Sequence, residues 1–201
     1  MVITLGREHG SNGHKVARLL CEKLNIACFD KEIVDAAAEN SNFSREILAS
    51  FDEKRVNTFL GQESQFLGLH EGFRLNMQAA AAQFDTIRAI ADKGDCLFVG
   101  RCADYVLRKR TDVLRVFILA DEDFCIRTLM ERYSITADQA RKLRKEVNKD
   151  RSSFYRYYTD QIWGEAGNYD LCINSGVLGV EGTVEVILSC LSVRGLIADT
   201  Q

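Results

Sequence analysis

The sequence predicts an α/β fold in which a parallel sheet is covered by helices on both faces. Short apolar runs at residues 2–5, 26–29, 96–99, 114–119 and 171–173 alternate with amphipathic stretches, as strands and crossover helices do in βα units. The first run opens directly into the glycine-rich stretch Gly6-Arg7-Glu8-His9-Gly10-Ser11-Asn12-Gly13. In a parallel sheet, ligands bind beyond the carboxyl ends of the strands, which is where this stretch, Asp30 and Gly100-Arg101 all fall. Three separate features therefore point to one crevice.

The chain has 201 residues, 46% of them hydrophobic, enough for one sizeable domain with a small inserted part but not for two independent cores. Its net charge of −3 argues against general attraction to nucleic acid or an anionic membrane, so a polyanion site must be a local basic patch. The seven cysteines, at 21, 28, 96, 102, 125, 172 and 190, form no C-x-x-C pair and sit mostly among apolar neighbours. They read as reduced core thiols, and with only His9, His14 and His70 beside them no metal-ligand spacing emerges. With neither a signal-peptide pattern nor an apolar run near 18 residues, the expected location is the cytoplasm.

Each element has its own local cause. Val16, Leu19, Leu20 and Leu24 recur at helical spacing and predict a helix over 11–25 packed on the first strand. After the run 26–29, Asp30-Lys31-Glu32 opens another helix, with Asp30 either its N-cap or a ligand-facing carboxylate. Residues 31–60 read as two short helices, the second from Ser44, followed by a polar break from Gly61 to Gly68. Phe73, Met77, Ala80, Phe84 and Ile87 mark one long helix over 69–93, which Gly94 stops. A strand at 96–99 and a helix over 103–108 follow, then a strand at 114–119. Asp121, Glu122 and Asp123 suit a first helical turn, with Ile126, Leu129, Met130 and Tyr133 as its buried face. Thr136 to Gln139 is a capping box for a strongly basic helix. The strand 171–173 precedes a closing helix whose core face is Val184, Ile187, Leu188 and Leu191.

The glycine-rich stretch has two readings: a phosphate cradle, with backbone N–H groups and a helix start aimed at an anion, or a tight turn between a core strand and a core helix. The strict pattern G-x-x-x-x-G-K-[ST] is absent, because with Gly13 as second glycine the first falls on Glu8 and the lysine on His14, leaving Lys15 one residue late. Arg101 follows a strand-ending glycine and is aimed at the crevice, either to hold a phosphate through its planar fork or to pair with Asp104. Between 141 and 156 lie seven basic residues against Glu146 and Asp150. Arg141, Lys145 and Lys149 share one helical face and read as solvated surface, whereas Arg151 and Arg156 suit a segment that closes over phosphates.

Taken in order, Gly6–Gly13, Phe29-Asp30-Lys31-Glu32, Val99-Gly100-Arg101-Cys102-Ala103-Asp104-Tyr105, Lys149-Asp150-Arg151 with Tyr155-Arg156-Tyr157-Tyr158-Thr159, and Trp163-Gly164 with Asn168-Tyr169-Asp170-Leu171 resemble the cytidylate kinase-like family, a branch of the P-loop nucleoside monophosphate kinases. The resemblance implies a P-loop NTPase fold with a five-stranded parallel sheet. It divides the single domain into a core (1–34, 95–133 and 166–201), a helical monophosphate-binding insertion (about 35–94) and a basic helical lid (about 134–165). It also implies transfer of the ATP γ-phosphoryl group to CMP or dCMP with magnesium. By position, Gly6, Arg7, Gly10, Ser11, Asn12, Gly13, His14 and Lys15 would hold ATP phosphates, Asp30, Arg101 and Asp104 would meet the acceptor, and Arg151 and Arg156 would descend from the lid. The Walker lysine position aligns with Gly13, so Lys15, Arg7 or a lid arginine must supply its charge, and Ser11 is the substitute for the magnesium-holding hydroxyl. The aspartate that precedes Gly-Arg in cytidylate kinases aligns with Val99, which removes one selector of cytosine.

The alternative is a nucleotide-binding or regulatory module without turnover. A short dehydrogenase, suggested by Gly6-x-x-x-Gly10 and Tyr105-x-x-x-Lys109, ranks far behind both. The expected partners are small nucleotides, with no stable nucleic acid or membrane partner. Exposed helices leave a homodimer open, although no heptad argues for one.

Overall fold

The computed structural model describes residues 1–39 and 69–198. Five strands, β1 (Val2–Arg7), β2 (Ala27–Phe29), β3 (Cys96–Val99), β4 (Val113–Leu119) and β5 (Leu171–Asn174), form one parallel sheet in the order β2-β3-β1-β4-β5. The helices are α1 (Gly13–Leu24), α2 (Glu32–Glu39), α3 (Leu69–Ala91), α4 (Ala103–Val106), α5 (Glu122–Tyr133), α6 (Ala137–Thr159) and α7 (Ser175–Val193).

Alternation along the central strands feeds two cores. Ile3 and Leu5 join Leu97, Val99, Val116 and Ile118 on the face covered by α1 and α7, through Val16, Leu20, Ile187 and Leu191. Val2, Phe98 and Val113 belong to the opposite face, covered by α2, α3 and α4 through Ile33, Ile87 and Val106. A parallel sheet buried on both sides requires such near-continuous apolar strands. The strand order differs from the 3-2-1-4-5-6 of dinucleotide-binding sheets and removes the dehydrogenase reading. Tyr105, one half of its Tyr-x-x-x-Lys spacing, lies under the Arg108 guanidinium at 3.8 Å.

Several expectations need correction. The apolar stretch of α7 is, by length and composition alone, long enough to cross a membrane. It carries Glu181 and Glu185, and it packs Val184, Ile187, Leu188 and Leu191 against the sheet while Val177, Leu178, Val186 and Val193 are exposed. Tyr133 is exposed rather than part of the buried face of α5, and Met77 is exposed on α3. The helix expected to reach Arg108 ends at Val106. The second helix of 31–60 and the break at 61–68, hence the middle of the expected insertion, lie outside the described residues. All seven cysteines are free, with Cys172 exposed and Cys28 and Cys190 half-buried. The capping box of α6 is present, Thr136 and Gln139 exchanging side-chain and backbone hydrogen bonds.

Candidate active site

The loop between β1 and α1 is shaped by two close approaches. Gly10 has φ +93°, and a Cβ there would stand 2.7 Å from the carbonyl oxygen of Cys125, so the loop lies directly on α5. A Cβ on Gly13, the first residue of α1, would stand 2.6 Å from the Cβ of Arg7. Ser11 is fully buried, its hydroxyl 2.9 Å from the Glu8 carbonyl oxygen and 3.2 Å from that of Ile118. That hydroxyl fastens the loop to the end of β4.

Three consecutive loop residues are tied to one face of α6. Arg151 Nη1 donates to the carbonyl oxygen of Arg7 at 3.0 Å, Arg144 Nη2 donates to Glu8 Oε2 at 3.0 Å, and the His9 N–H donates to Asn148 Oδ1 at 2.8 Å. Positions 144, 148 and 151 follow helical spacing and share that face. Arg141, Lys145 and Lys149 lie exposed elsewhere on the helix, as their spacing suggested.

Between loop and helix opens a cavity of about 500 Å³, lined by Arg7, His14, Lys31, Arg132 and Arg151 together with the carboxylates of Glu8, Asp30 and Asp150. Its electrostatics are recorded by His9. Burial, and then the charges of Arg151, Arg132, Arg7 and Arg144, lower its pKa to about 4, so the imidazole is neutral at pH 7. The ring stacks on Tyr133 with centroids 6.1 Å apart, and its buried Nε2 has no hydrogen-bond partner among the described residues.

The β3–α4 turn closes the other side. Gly100, Arg101 and Cys102 all have positive φ, at 75°, 57° and 57°, an unfavourable backbone for the two non-glycine residues. The turn sends Arg101, only 2% exposed, back across the sheet, where its Nε donates to the Asp30 carbonyl oxygen at 2.6 Å. The Asp30 carboxylate is 3.8 Å from Arg7 Nη2 and 3.7 Å from His14 Nδ1. Asp30 therefore faces the cavity, and the helix it was expected to cap begins at Glu32, whose Oε2 accepts from the Asp30 N–H. A smaller hollow continues past Arg151 between Arg101, Asp104, Tyr155, Trp163 and Tyr169. Asp104 is buried there, with Oδ2 accepting from the Tyr155 hydroxyl at 2.6 Å, and burial raises its pKa.

The structure thus brings together Arg7, Gly10, Asn12, Gly13, His14, Asp30 and Arg151 around the cavity, with Gly6, Arg101 and Asp104 around the adjoining hollow. Lys15 is exposed on α1, Arg156 is exposed on α6, and neither lines either space. Glu8, His9, Arg132, Tyr133, Arg144 and Asn148 were not singled out from the sequence. The only local signal was the crowding of Arg132 and Tyr133 at a helix end, because the other contacts join segments more than a hundred residues apart.

A sequence model of the cytidylate kinase-like family matches residues 2–177. No curated protein matches the chain. Among solved structures, an uncharacterized protein from Eubacterium ventriosum is 27% identical with a TM-score of 0.74, over 96% of this chain and 98% of that one. Shikimate kinase from Bacteroides thetaiotaomicron has a TM-score of 0.53 at 13% identity, over 96% and 98%. TT1252 from Thermus thermophilus has 0.51 at 12%, over 95% and 97%. The latter two likenesses are of fold, and the fold is that of the P-loop kinases.

Proposed function

The chain belongs to the cytidylate kinase-like family, and we propose that it transfers the γ-phosphoryl group of ATP to a nucleoside monophosphate, with CMP or dCMP as the expected acceptor. The observation that carries this is the convergence of Arg7, Arg132, Arg144 and Arg151 around a glycine-rich loop, where their charges add to burial in keeping His9 neutral, with Arg101 turned toward the same crevice. Guanidiniums gathered this closely repel one another even beside Glu8, Asp30 and Asp150, and a polyphosphate adds the negative charge that relieves that repulsion.

In the transfer, an acceptor phosphate oxygen bonds to the γ-phosphorus as the bond to the β–γ bridging oxygen breaks, and ADP leaves with that electron pair. The attacking oxygen is already ionised, so no general base is needed. The work of the protein is in-line positioning and charge neutralisation. In this reading the loop N–H groups and Arg7 hold the donor phosphates, Arg101 holds the acceptor phosphate, and Arg151, lining both spaces, lies between them. Asp30 orients Arg7 through its carboxylate and Arg101 through its carbonyl.

Among the described residues there is no group of three metal-ligating side chains. Magnesium would therefore be held largely by nucleotide phosphates and water, with Asp30 and Asp150 as the cavity carboxylates that face it. Bound there, it would supply positive charge to offset the charge that develops on the phosphate oxygens during transfer. Seven free thiols suit a reducing cytoplasm.

The exposed position of Lys15 favours the second reading, a nucleotide-binding module without turnover. ATP, magnesium and each of CMP, dCMP, UMP, AMP and GMP, with products resolved by chromatography, separate the two. The proposal expects diphosphate from CMP or dCMP, reduced on the order of 100-fold in Arg101→Ala with the fold intact. Saturable ATP binding with no product from any acceptor would establish the module.

A further inference from the structure

A P-loop places its lysine where the glycine-rich loop opens into the helix; the family resemblance puts that position at Gly13, the first residue of α1. The charge must come from elsewhere, and the nearby cations are not equivalent. Lys15 is exposed and outside the cavity. Lys31 and Arg132 line the cavity but are exposed at its rim. Arg151 comes from α6 and is anchored on the Arg7 carbonyl oxygen.

Arg7 stands apart from these. It ends β1 inside the loop itself, and its side chain is 11% exposed. Its stem fills the space a side chain at position 13 would take, since a Cβ on Gly13 would lie 2.6 Å from Arg7 Cβ and 3.1 Å from Arg7 Cγ. Real Cβ atoms do not approach that closely, so a lysine at 13 and the present Arg7 exclude one another. The stem also fixes where the charge lies: Nη2 is 3.8 Å from Asp30 Oδ1, at the cavity wall, and the same charge contributes to the lowering of the His9 pKa.

We infer that Arg7 is the catalytic cation of this loop, taking the place of the P-loop lysine on the donor phosphates, and that Gly13 is glycine because the Arg7 stem occupies the space of its side chain. The two positions have exchanged roles. The cation is delivered from the end of the strand instead of the start of the helix, and as a guanidinium it meets phosphate oxygens through two parallel hydrogen bonds. The inference deepens the kinase reading and rests on it for turnover, though not for nucleotide binding.

The test uses the full chain and two readouts: calorimetric binding of ATP and of AMP, and ATP turnover with the acceptor the wild type uses. Arg7→Met keeps most of the stem and removes the charge. It is expected to weaken ATP binding at least tenfold and AMP binding less than twofold, and to slow turnover on the order of 100-fold. Arg7→Gln is held to the same thresholds should the Met variant fail to fold. Moving the cation is the stricter trial: R7G/G13K is expected to recover at least tenfold of the turnover lost in R7G. ATP affinity unchanged in the folded Met or Gln variant overturns the inference, as does a folded R7G/G13K no better than R7G. If the wild type turns over no acceptor, the kinase reading fails separately, and the ATP-against-AMP comparison alone decides the role of Arg7.

Discussion

At residue 9 the protein keeps a neutral imidazole among Arg151, Arg132, Arg7 and Arg144. The unfolded chain takes up that proton near pH 6.5 and the folded chain resists until about pH 4. The stability linked to His9 is therefore complete above pH 6.5 and is lost as the pH falls through about 4. Partial exposure screens the effect to about 1–2 kcal/mol. Denaturant titrations at pH 7 and pH 4 are expected to show His9→Gln losing less stability on acidification than wild type by that amount, and an equal loss would show that folding leaves the His9 pKa where it is in the unfolded chain. The single residues whose placement was legible in the sequence were those following a strand end, Arg101 and Asp30, because strand ends in a parallel sheet have a predictable destination. Lys15 lies elsewhere than its spacing suggested. Its spacing from the glycines placed it near the loop in sequence, but helical rotation from Gly13 sends its side chain to solvent.

Among the elements, α6 binds the loop most extensively. Its capping box was readable because it is local, spanning Thr136 to Gln139. The contacts of Arg144, Asn148 and Arg151 with Glu8, His9 and Arg7 were not, since nothing in the basic run says which face turns inward. The three tethers hold α6 and the loop as one unit, and the half-buried pair of Arg144 and Glu8 is its most directly measurable part. A double-mutant cycle on Glu8→Ala and Arg144→Ala, followed by denaturant unfolding, is expected to give a coupling energy of about 1 kcal/mol. Additivity within about 0.3 kcal/mol would show that the pair does not join the two elements.

Across the whole molecule, the parallel sheet gives every functional segment the same address. Strands β1 and β3 deliver the glycine-rich loop and the Arg101 turn to one edge, β2 delivers Asp30, and α6 lies across them. This much followed from apolar runs and helical periodicity, because burial on both faces writes itself into composition. The apolar length of α7 was missed because its run is interrupted by Glu181 and Glu185, polar positions on a helix that sends one face to the core and leaves Val177, Leu178, Val186 and Val193 exposed. The position of Arg7 over Gly13 was invisible for another reason: it depends on side-chain volume at two residues that a pattern of glycines treats as independent. The central claim is that these cations form a site for phosphoryl transfer and not only for binding. The most direct measurement is a single-turnover reaction with enzyme in excess over γ-labelled ATP, magnesium present and CMP saturating. The account predicts that label moves to CDP and that the movement slows on the order of 100-fold in Arg101→Ala. Label remaining in enzyme-bound ATP, with each monophosphate of the panel in turn at saturation, would contradict it.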